Sequence, residues 1–277
     1  MGTAVKYIIL CAIVFLFSGC SKNRLPAEGE ALIIYRSQDG RIITREELRK
    51  TTGKVSYEIL SSKHVPIKAK RLHSKGRDAG AKGNYEEAIS LFESASAIAP
   101  EWPYPIYDKA YTYLLMNDFR TARIYYNKTV ELAPRGFFKA ITALYTLNHE
   151  EEGAFPQGTY LRYLSIEWIE DPKNKVLAIE KLTEEIPTFA PAWLDLSGLL
   201  EDPDQRIAAI ENGLSFPSDI ETKGLLLISK AIVLNQKDQK DRAIKVLGEI
   251  ILDPGSSILV EQLAKETLWF FLEEDRN

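Results

Sequence analysis

The stretch NYEEAISLFESASAIAP, residues 84–100, matches the stretch DFRTARIYYNKTVELAP, residues 118–134, with each matched residue recurring 34 positions later. Six residues of the first stretch have such a counterpart: Asn84, Tyr85, Ala88, Phe92, Ala99 and Pro100. A fixed period of this size is typical of stacked helical hairpins, in which each hairpin buries its apolar face against its neighbour. The sequence therefore predicts an all-α solenoid of helical hairpins, whose curved surface is suited to holding partners.

A second pair of segments repeats at the same distance further along the chain. Its matched residues are Asp204 with Asp238, Gln205 with Gln239, Ala209 with Ala243 and Ile210 with Ile244, again 34 positions apart. The pattern predicts repeats over residues 66–148 and further helices of the same kind over residues 159–274. The last of these helices, from about residue 257 to residue 273, is expected to cap the array.

The period is broken between the two pairs. Residues 149–158 contain three consecutive glutamates, Glu150 to Glu152, and a proline at Pro156. We interpret this stretch as an insertion without helix pairing, in which the glutamates are solvated. The helix before it is expected to run from Phe137 to about Leu147.

A small segment before the repeats, residues 31–60, follows a different pattern. Apolar runs on either side of Asp39-Gly40 predict a β-hairpin, because Asp-Gly favours the tight turns that join two strands. Thr44 and Glu47 form a capping box that predicts a short helix, and alternation over residues 55–59 predicts another strand. We interpret this α/β segment as a cap on the open apolar end of the solenoid.

The amino terminus has the pattern of an export signal. An apolar run over residues 7–17 is too short to span a bilayer, and it is followed by Ser18, Gly19 and Cys20. Small residues directly before a cysteine resemble the lipobox of bacterial lipoproteins. The resemblance implies a signal peptide over residues 1–19, acylation of Cys20, for example with palmitate, and a polar tether over residues 20–30. An ordinary signal peptide or an uncleaved anchor is the alternative.

Composition excludes several classes of site and partner. Removal of the signal peptide would discard Cys11 and leave Cys20 without a cysteine to pair with. A net charge of −4 does not indicate a nucleic-acid partner. The histidines have no metal-ligand spacing, and nucleophile-elbow, phosphate-loop and dinucleotide motifs are absent from the sequence. We therefore predict a protein that is not an enzyme and needs no cofactor or metal, although acids from distant segments could still meet.

The spacing and the residue types of the repeats resemble the tetratricopeptide repeat family over nearly all of residues 66–274. Alignment of Pro100 with the closing proline of the family places the first repeat at residues 69–102 and the second at residues 103–136. The resemblance implies that small residues lie where the two helices of a hairpin cross. These residues are Gly76, Ala79, Ala88 and Ala95 in the first repeat, and Ala110 and Ala122 in the second.

The resemblance also implies a set of groove residues, because the second, fifth and ninth positions of each first helix face the concave side in this family. Those positions hold a basic row of Lys70, His73 and Arg77 and two largely aromatic rows of Tyr104, Tyr107, Tyr111 and Phe138, Ile141, Tyr145. Such rows are suited to an extended peptide with an acidic or carboxylate end, and their rings could also stack on sugars. Alternatively, the cations are simply solvated and the tyrosines are packed by the insertion.

Three functional hypotheses follow from these features. The first is a membrane-anchored adaptor or scaffold of the bacterial cell envelope, whose groove holds a protein or peptide segment. It would be lipid-anchored, at the outer membrane, and face the periplasm or the surface. The second is a surface lipoprotein that binds a glycan or another small ligand, and the third is a hydrolase whose acids come from the insertion and the N-terminal segment.

Overall fold

The computed structural model describes residues 32–36, 41–43, 56–60 and 65–274. The predicted signal peptide, Cys20, the tether and the short helix predicted from Thr44 lie outside these residues. Of the described residues, 65–165 form one compact unit, and the others belong to a second.

The first unit is built from helices that begin and end close to the predicted repeat boundaries. They are α1 (Ile67–Ala81), α2 (Tyr85–Ile98), α3 (Pro103–Leu115), α4 (Phe119–Leu132), α5 (Ala140–Glu151) and α6 (Thr159–Glu167), the last of which ends at the boundary of the unit. Helix α1 packs on α2 and α3 packs on α4, so the predicted hairpins are confirmed.

Small residues lie at the helix crossings, as the repeat frame predicts. Ala88 and Ala122 are fully buried, and a Cβ atom added at Gly76 would lie 2.6 Å from the ring of Phe92. Only glycine therefore lets α1 approach α2 so closely at this point. The fully buried ring of Tyr126 fills the core on the α4 side.

The same turn closes four of the described helices. Gly83, Asn117, Gly153 and Asp238 all have positive φ angles, between 57° and 80°. In each case the next residue donates its N–H to the carbonyl oxygen five residues earlier, over 2.8–3.0 Å. This bond satisfies a carbonyl at the helix end, and it requires the left-handed conformation that glycine and asparagine adopt most readily.

The structure corrects the prediction for residues 149–158. Helix α5 continues through Glu151, three residues into the predicted insertion, and only residues 152–158 form a loop. The helix begins at Ala140 and not at Phe137, because residues 137–139 form a turn. Glu150 is buried and its carboxylate accepts hydrogen bonds from the N–H groups of Gly158 and Tyr160, both over 2.8 Å. It is therefore not a solvated loop residue but caps the start of α6.

The helices of the second unit also follow the predicted pattern. They are α7 (Pro172–Glu185), α8 (Ala190–Leu199), α9 (Pro203–Leu214), α10 (Ile220–Gln236), α11 (Lys240–Leu252) and α12 (Ile258–Glu274). The repeated segments lie in α9 and in the turn and first residues of α11, where Ala209, Ile210 and Ala243 are buried. Helix α12 packs on α10 and α11, and Gly224 leaves no room for a side chain beside Val260.

The N-terminal strands form a small antiparallel sheet. Strands β1 (Leu32–Arg36), β2 (Ile42–Ile43) and β3 (Ser56–Leu60) are arranged in the order β2-β1-β3. Tyr35 lies opposite both Ile43 of β2 and Tyr57 of β3. The predicted hairpin and the predicted third strand are therefore confirmed, whereas their role as a cap stays a prediction.

Candidate functional site

The first unit brings predicted groove residues from three segments together. The rings of His73 in α1 and Tyr104 in α3 are 5.7 Å apart, and the rings of Tyr104 and Phe138 are 5.4 Å apart. Tyr107 also lies 5.4 Å from Phe138. Tyr104, Tyr107 and Phe138 are all half-buried, and we refer to these three residues as the aromatic cluster.

The aromatic cluster packs against buried rings. Tyr104 meets the ring of Phe137 edge-on at 4.8 Å, and Tyr107 meets the buried ring of Tyr126 edge-on at 5.7 Å. Edge-to-face contacts of this kind fix the orientation of a ring without covering its faces completely. The cluster is therefore a rigid aromatic surface that remains partly open to solvent.

Phe138 has an unusual backbone conformation for a bulky residue. Its φ angle is 47°, in the left-handed region that costs a non-glycine residue about 1–2 kcal/mol. Packing against Tyr104 and Tyr107 compensates for this cost and keeps the ring at the surface. Backbone strain of this kind is often found at functional positions.

His73 is not the solvent-reachable groove residue that the sequence predicts. Only 7% of it is exposed, because its ring packs against Trp102 at a centroid distance of 4.8 Å and against Tyr104. Its Nε2 atom is 2.7 Å from a carboxylate oxygen of Asp108. The side chain of His73 thus forms part of the contact between α1 and α3.

Asp108 is a residue of this face that the sequence analysis missed. Besides His73, its Oδ2 atom lies 3.8 Å from Nε of Arg77, whose side chain is 66% exposed. Tyr107 is the repeat counterpart of His73, 34 residues later, and Asp108 directly follows it. The groove pattern takes only the second, fifth and ninth positions of each first helix, so it does not include Asp108. The expected basic row therefore consists of two exposed cations, Lys70 and Arg77, and a carboxylate already lies beside Arg77.

The remaining predicted groove residues have other neighbours. The ring of Tyr145 packs at a tilt on His149 at a centroid distance of 4.1 Å, and His149 stacks in turn on Phe155. Burial raises the pKa of Tyr111, with smaller contributions from Tyr85 and Asp108, so its hydroxyl stays neutral at physiological pH. Ile141 is half-buried.

A buried hydroxyl lies close to this face. Tyr126 is fully buried, and its hydroxyl has no hydrogen-bond partner among the described residues. Burial raises its pKa well above the usual value, and Tyr160 and Tyr107 act in the same direction. The phenol is therefore neutral, and its ring packs against the ring of Tyr107.

Lys109 is a buried cation with a structural role. Its ammonium group donates to a carboxylate oxygen of Glu93 over 2.5 Å and lies 4.1 Å from the ring centroid of Tyr125. Burial lowers its pKa, but the interactions with Glu93 and Tyr125 outweigh burial and the net pKa is raised. Lys109 in α3 thereby ties α2 to α4 and is not available to a ligand.

Within residues 65–274 and the three strands, we find no group of three His, Cys, Asp or Glu side chains that could hold a metal ion. None of the helices described is both long and apolar enough to cross a membrane.

Comparison with known proteins identifies one hairpin of the first unit. The tetratricopeptide repeat family matches residues 105–135, which extend from the first turn of α3 to just beyond α4. No curated protein sequence matches the chain significantly. The match thus falls almost entirely within the second predicted repeat, residues 103–136.

Several solved structures are distantly similar. MamA (residues 41 to the end) from Desulfovibrio magneticus RS-1 is 15% identical, with a TM-score of 0.33, and the match covers 73% of this chain and 98% of MamA. TTC0263, a thermophilic TPR protein of Thermus thermophilus, is 16% identical, with a TM-score of 0.32 over 73% of this chain and 99% of its own. The TPR2AB domain of yeast Sti1 in its pHSP90 complex is 18% identical, with a TM-score of 0.32 and coverages of 72% and 85%.

Proposed function

We propose that this protein is a lipid-anchored adaptor of the bacterial cell envelope and that its aromatic cluster holds a segment of another protein. The observation that carries the proposal is the half-buried ring of Phe138, kept in a strained backbone conformation between Tyr104 and Tyr107. Aromatic side chains supply much of the binding energy at protein interfaces.

The charges beside the aromatic cluster indicate which kind of partner segment it would bind. Asp108 already lies beside Arg77, so a carboxylate of the partner would have to compete with it. The rings, in contrast, offer apolar contact area and carry no charge. We infer that an apolar or aromatic side chain of the partner is the main anchor, and that Lys70 and Arg77 bind backbone carbonyl groups near it.

The anchoring part of the proposal is supported by the sequence Ser18-Gly19-Cys20 after a short apolar run. An acylated Cys20, followed by the polar tether, would hold the protein at the membrane while leaving the aromatic cluster accessible. Acyl chains bind a membrane through the apolar area that they bury.

Site-specific crosslinking tests the binding face. A photoreactive p-benzoyl-phenylalanine is introduced at Phe138 or, as a control, at Ile124, which is 45% exposed on α4. We expect crosslinks in the cell envelope to a defined peptide of another protein from position 138 only, identified by mass spectrometry. Crosslinks to the same peptide with equal yield from position 124 would show that the aromatic cluster is not the binding face.

Two substitutions test the energetic contribution of the face. We expect Tyr107→Ala and Arg77→Ala each to weaken binding of the crosslinked peptide, made synthetically, by about 1–3 kcal/mol, the range of interface hot spots. Calorimetry measures the binding, and thermal unfolding reports whether each variant is folded. A folded Tyr107→Ala variant that binds the peptide as tightly as the wild type would exclude the aromatic cluster as the binding face.

A further inference from the structure

The first helix of the repeats, α1, carries a concentration of positive charge. It contains five lysine and arginine residues and one acidic residue, a formal charge of +4 (five minus one), in a chain whose net charge is −4. All six side chains are at exposed positions. The cations are Lys68, Lys70, Arg71, Lys75 and Arg77, and the acid is Asp78.

Three of these cations form a row on one side of α1. Lys68, Arg71 and Lys75 are spaced by three and four residues, which places them on the same side of a helix. None of the three has a hydrogen bond or an ion pair with any residue that the structure describes. Lys68 and Lys75 each lie two positions before a predicted groove residue, so they point to nearly the opposite side of the helix from the groove. We refer to these three residues as the cationic stripe.

The cationic stripe does not stabilise the helix that carries it. Lys68 lies in the first turn of α1, where the helix dipole favours acidic side chains, and that turn contains none. Like charges three or four residues apart also repel each other on a helix surface. Because these cations oppose the local structure, their clustering favours a role in binding a partner of opposite charge.

An apolar side chain beside the cationic stripe indicates the kind of partner. Ile67, the first residue of α1, is 66% exposed and lies four positions before Arg71, on the same side of the helix. An anionic bilayer offers negative headgroups to cations and an apolar layer directly beneath to such a side chain. A nucleic acid offers phosphates without that layer, and the net charge of −4 disfavours a long polyanion.

We propose that the cationic stripe and Ile67 dock α1 onto an anionic phospholipid surface. The docking rests on the proposed membrane location, since an acylated Cys20 would bring α1 close to lipid headgroups. One acyl chain alone binds a membrane reversibly, and a basic patch is a second signal that makes attachment stable. Each lysine or arginine near an anionic surface strengthens binding about fivefold. The groove side of α1 stays uncovered in this arrangement.

Lysine acetylation measures the docking at single residues. The protein, as processed by the cell, is purified and mixed with vesicles of phosphatidylcholine or of equal parts phosphatidylcholine and phosphatidylglycerol, and acetylation rates are followed by mass spectrometry. We expect Lys68 and Lys75 to react about fivefold or more slowly on the anionic vesicles. Lys223, exposed on α10, should react equally on both. Salt at about 1 M should remove the protection, because it shortens the screening length to about 3 Å.

Matched variants identify the charges responsible. Lys68→Gln/Arg71→Gln removes two charges of the cationic stripe, and it should bring the acetylation rate of Lys75 on anionic vesicles to within about twofold of the rate on neutral ones. Lys223→Gln/Lys245→Gln removes two exposed charges of the second unit and should leave the protection of Lys75 unchanged. Thermal unfolding establishes that both variants are folded.

The proposal is overturned if Lys68 and Lys75 react equally on both kinds of vesicle, or if Lys223 is protected as strongly as they are. Equal protection by a DNA duplex would also overturn it, in favour of a nucleic-acid partner. The mass of the amino terminus reports acylation of Cys20 separately. An acylated Cys20 with unprotected Lys68 removes the docking alone, whereas protected Lys68 with an unmodified Cys20 removes the anchor alone.

Discussion

Glu221 illustrates how strongly burial can change a single side chain. It is 4% exposed at the start of α10, beside the buried carboxylate of Asp219, which accepts the N–H groups of Glu221 and Thr222. Burial raises the pKa of Glu221 to about 8; the charge of Asp219 also raises it, and a hydrogen bond to Ser257 lowers it. The carboxyl group is therefore largely protonated at neutral pH, which avoids a second buried negative charge beside Asp219.

This raised pKa predicts a pH-dependent stability. The folded-state pKa of Glu221 lies above its ordinary value of 4.5, so the native state holds a proton that the unfolded state releases. Its contribution to the free energy of unfolding is fully present below pH 4.5 and is lost as the pH rises towards 8. We expect Glu221→Gln to remove this loss and to be more stable than the wild type at pH 8.5 by about 1–3 kcal/mol.

Urea unfolding of the wild type and Glu221→Gln at pH 5 and pH 8.5 measures this effect. Glu249→Gln, at an exposed position on α11, is the control and should leave the pH dependence unchanged. If the free energy of unfolding changed equally between pH 5 and pH 8.5 for the wild type and Glu221→Gln, the raised pKa of Glu221 would be contradicted.

The hairpin is the element on which the fold depends. Ala88 and Ala122 have no exposed surface and occupy equivalent positions in α2 and α4. A side chain larger than alanine there would push the paired helices apart, as a side chain at Gly76 would do against Phe92. The 34-residue period of the sequence thus reflects one steric requirement, which recurs at the helix crossing of each hairpin.

We expect Ala88→Leu and Ala122→Leu each to lower the free energy of unfolding by about 1–3 kcal/mol, because both overpack a close crossing. Thermal and chemical unfolding measure the change. Ala97→Leu, at an exposed position of α2, should have little effect. Equal melting temperatures for all three variants and the wild type would mean that the crossings tolerate larger residues.

At the scale of the whole molecule, the predicted amino-terminal anchor would hold the aromatic cluster of the first unit, the proposed binding face, at a membrane. Lipidation of Cys20 would confine the protein to a membrane surface and raise its concentration near envelope partners. The sequence resemblance at Ser18-Gly19-Cys20 is the basis for this part of the proposal.

We expect the wild-type protein to partition with membranes and Cys20→Ser to remain soluble in the periplasm or unprocessed. Mass spectrometry of the mature amino terminus should find acyl chains on Cys20 of the wild type. An unmodified amino terminus at any other residue would contradict the anchoring proposal, without affecting the tests of the aromatic cluster.

The sequence by itself determined the hairpins and the small residues at their crossings. These features depend on residues that are close in the chain or repeat at a fixed spacing, such as Ala88 and Ala122. A period that recurs over two repeats also predicts which residues face each other across a hairpin, because the same packing is used each time.

Only the tertiary structure decided which side chains are available at the candidate site. His73 is buried, and Asp108 lies beside Arg77, because α1 and α3 pack together across 35 residues of sequence. Glu150 looks like part of a solvated acidic run, yet two backbone N–H groups hold it inside the fold. Burial and charge pairing depend on neighbours in space, and the repeat pattern specifies where a residue lies on its helix but not which partner it meets.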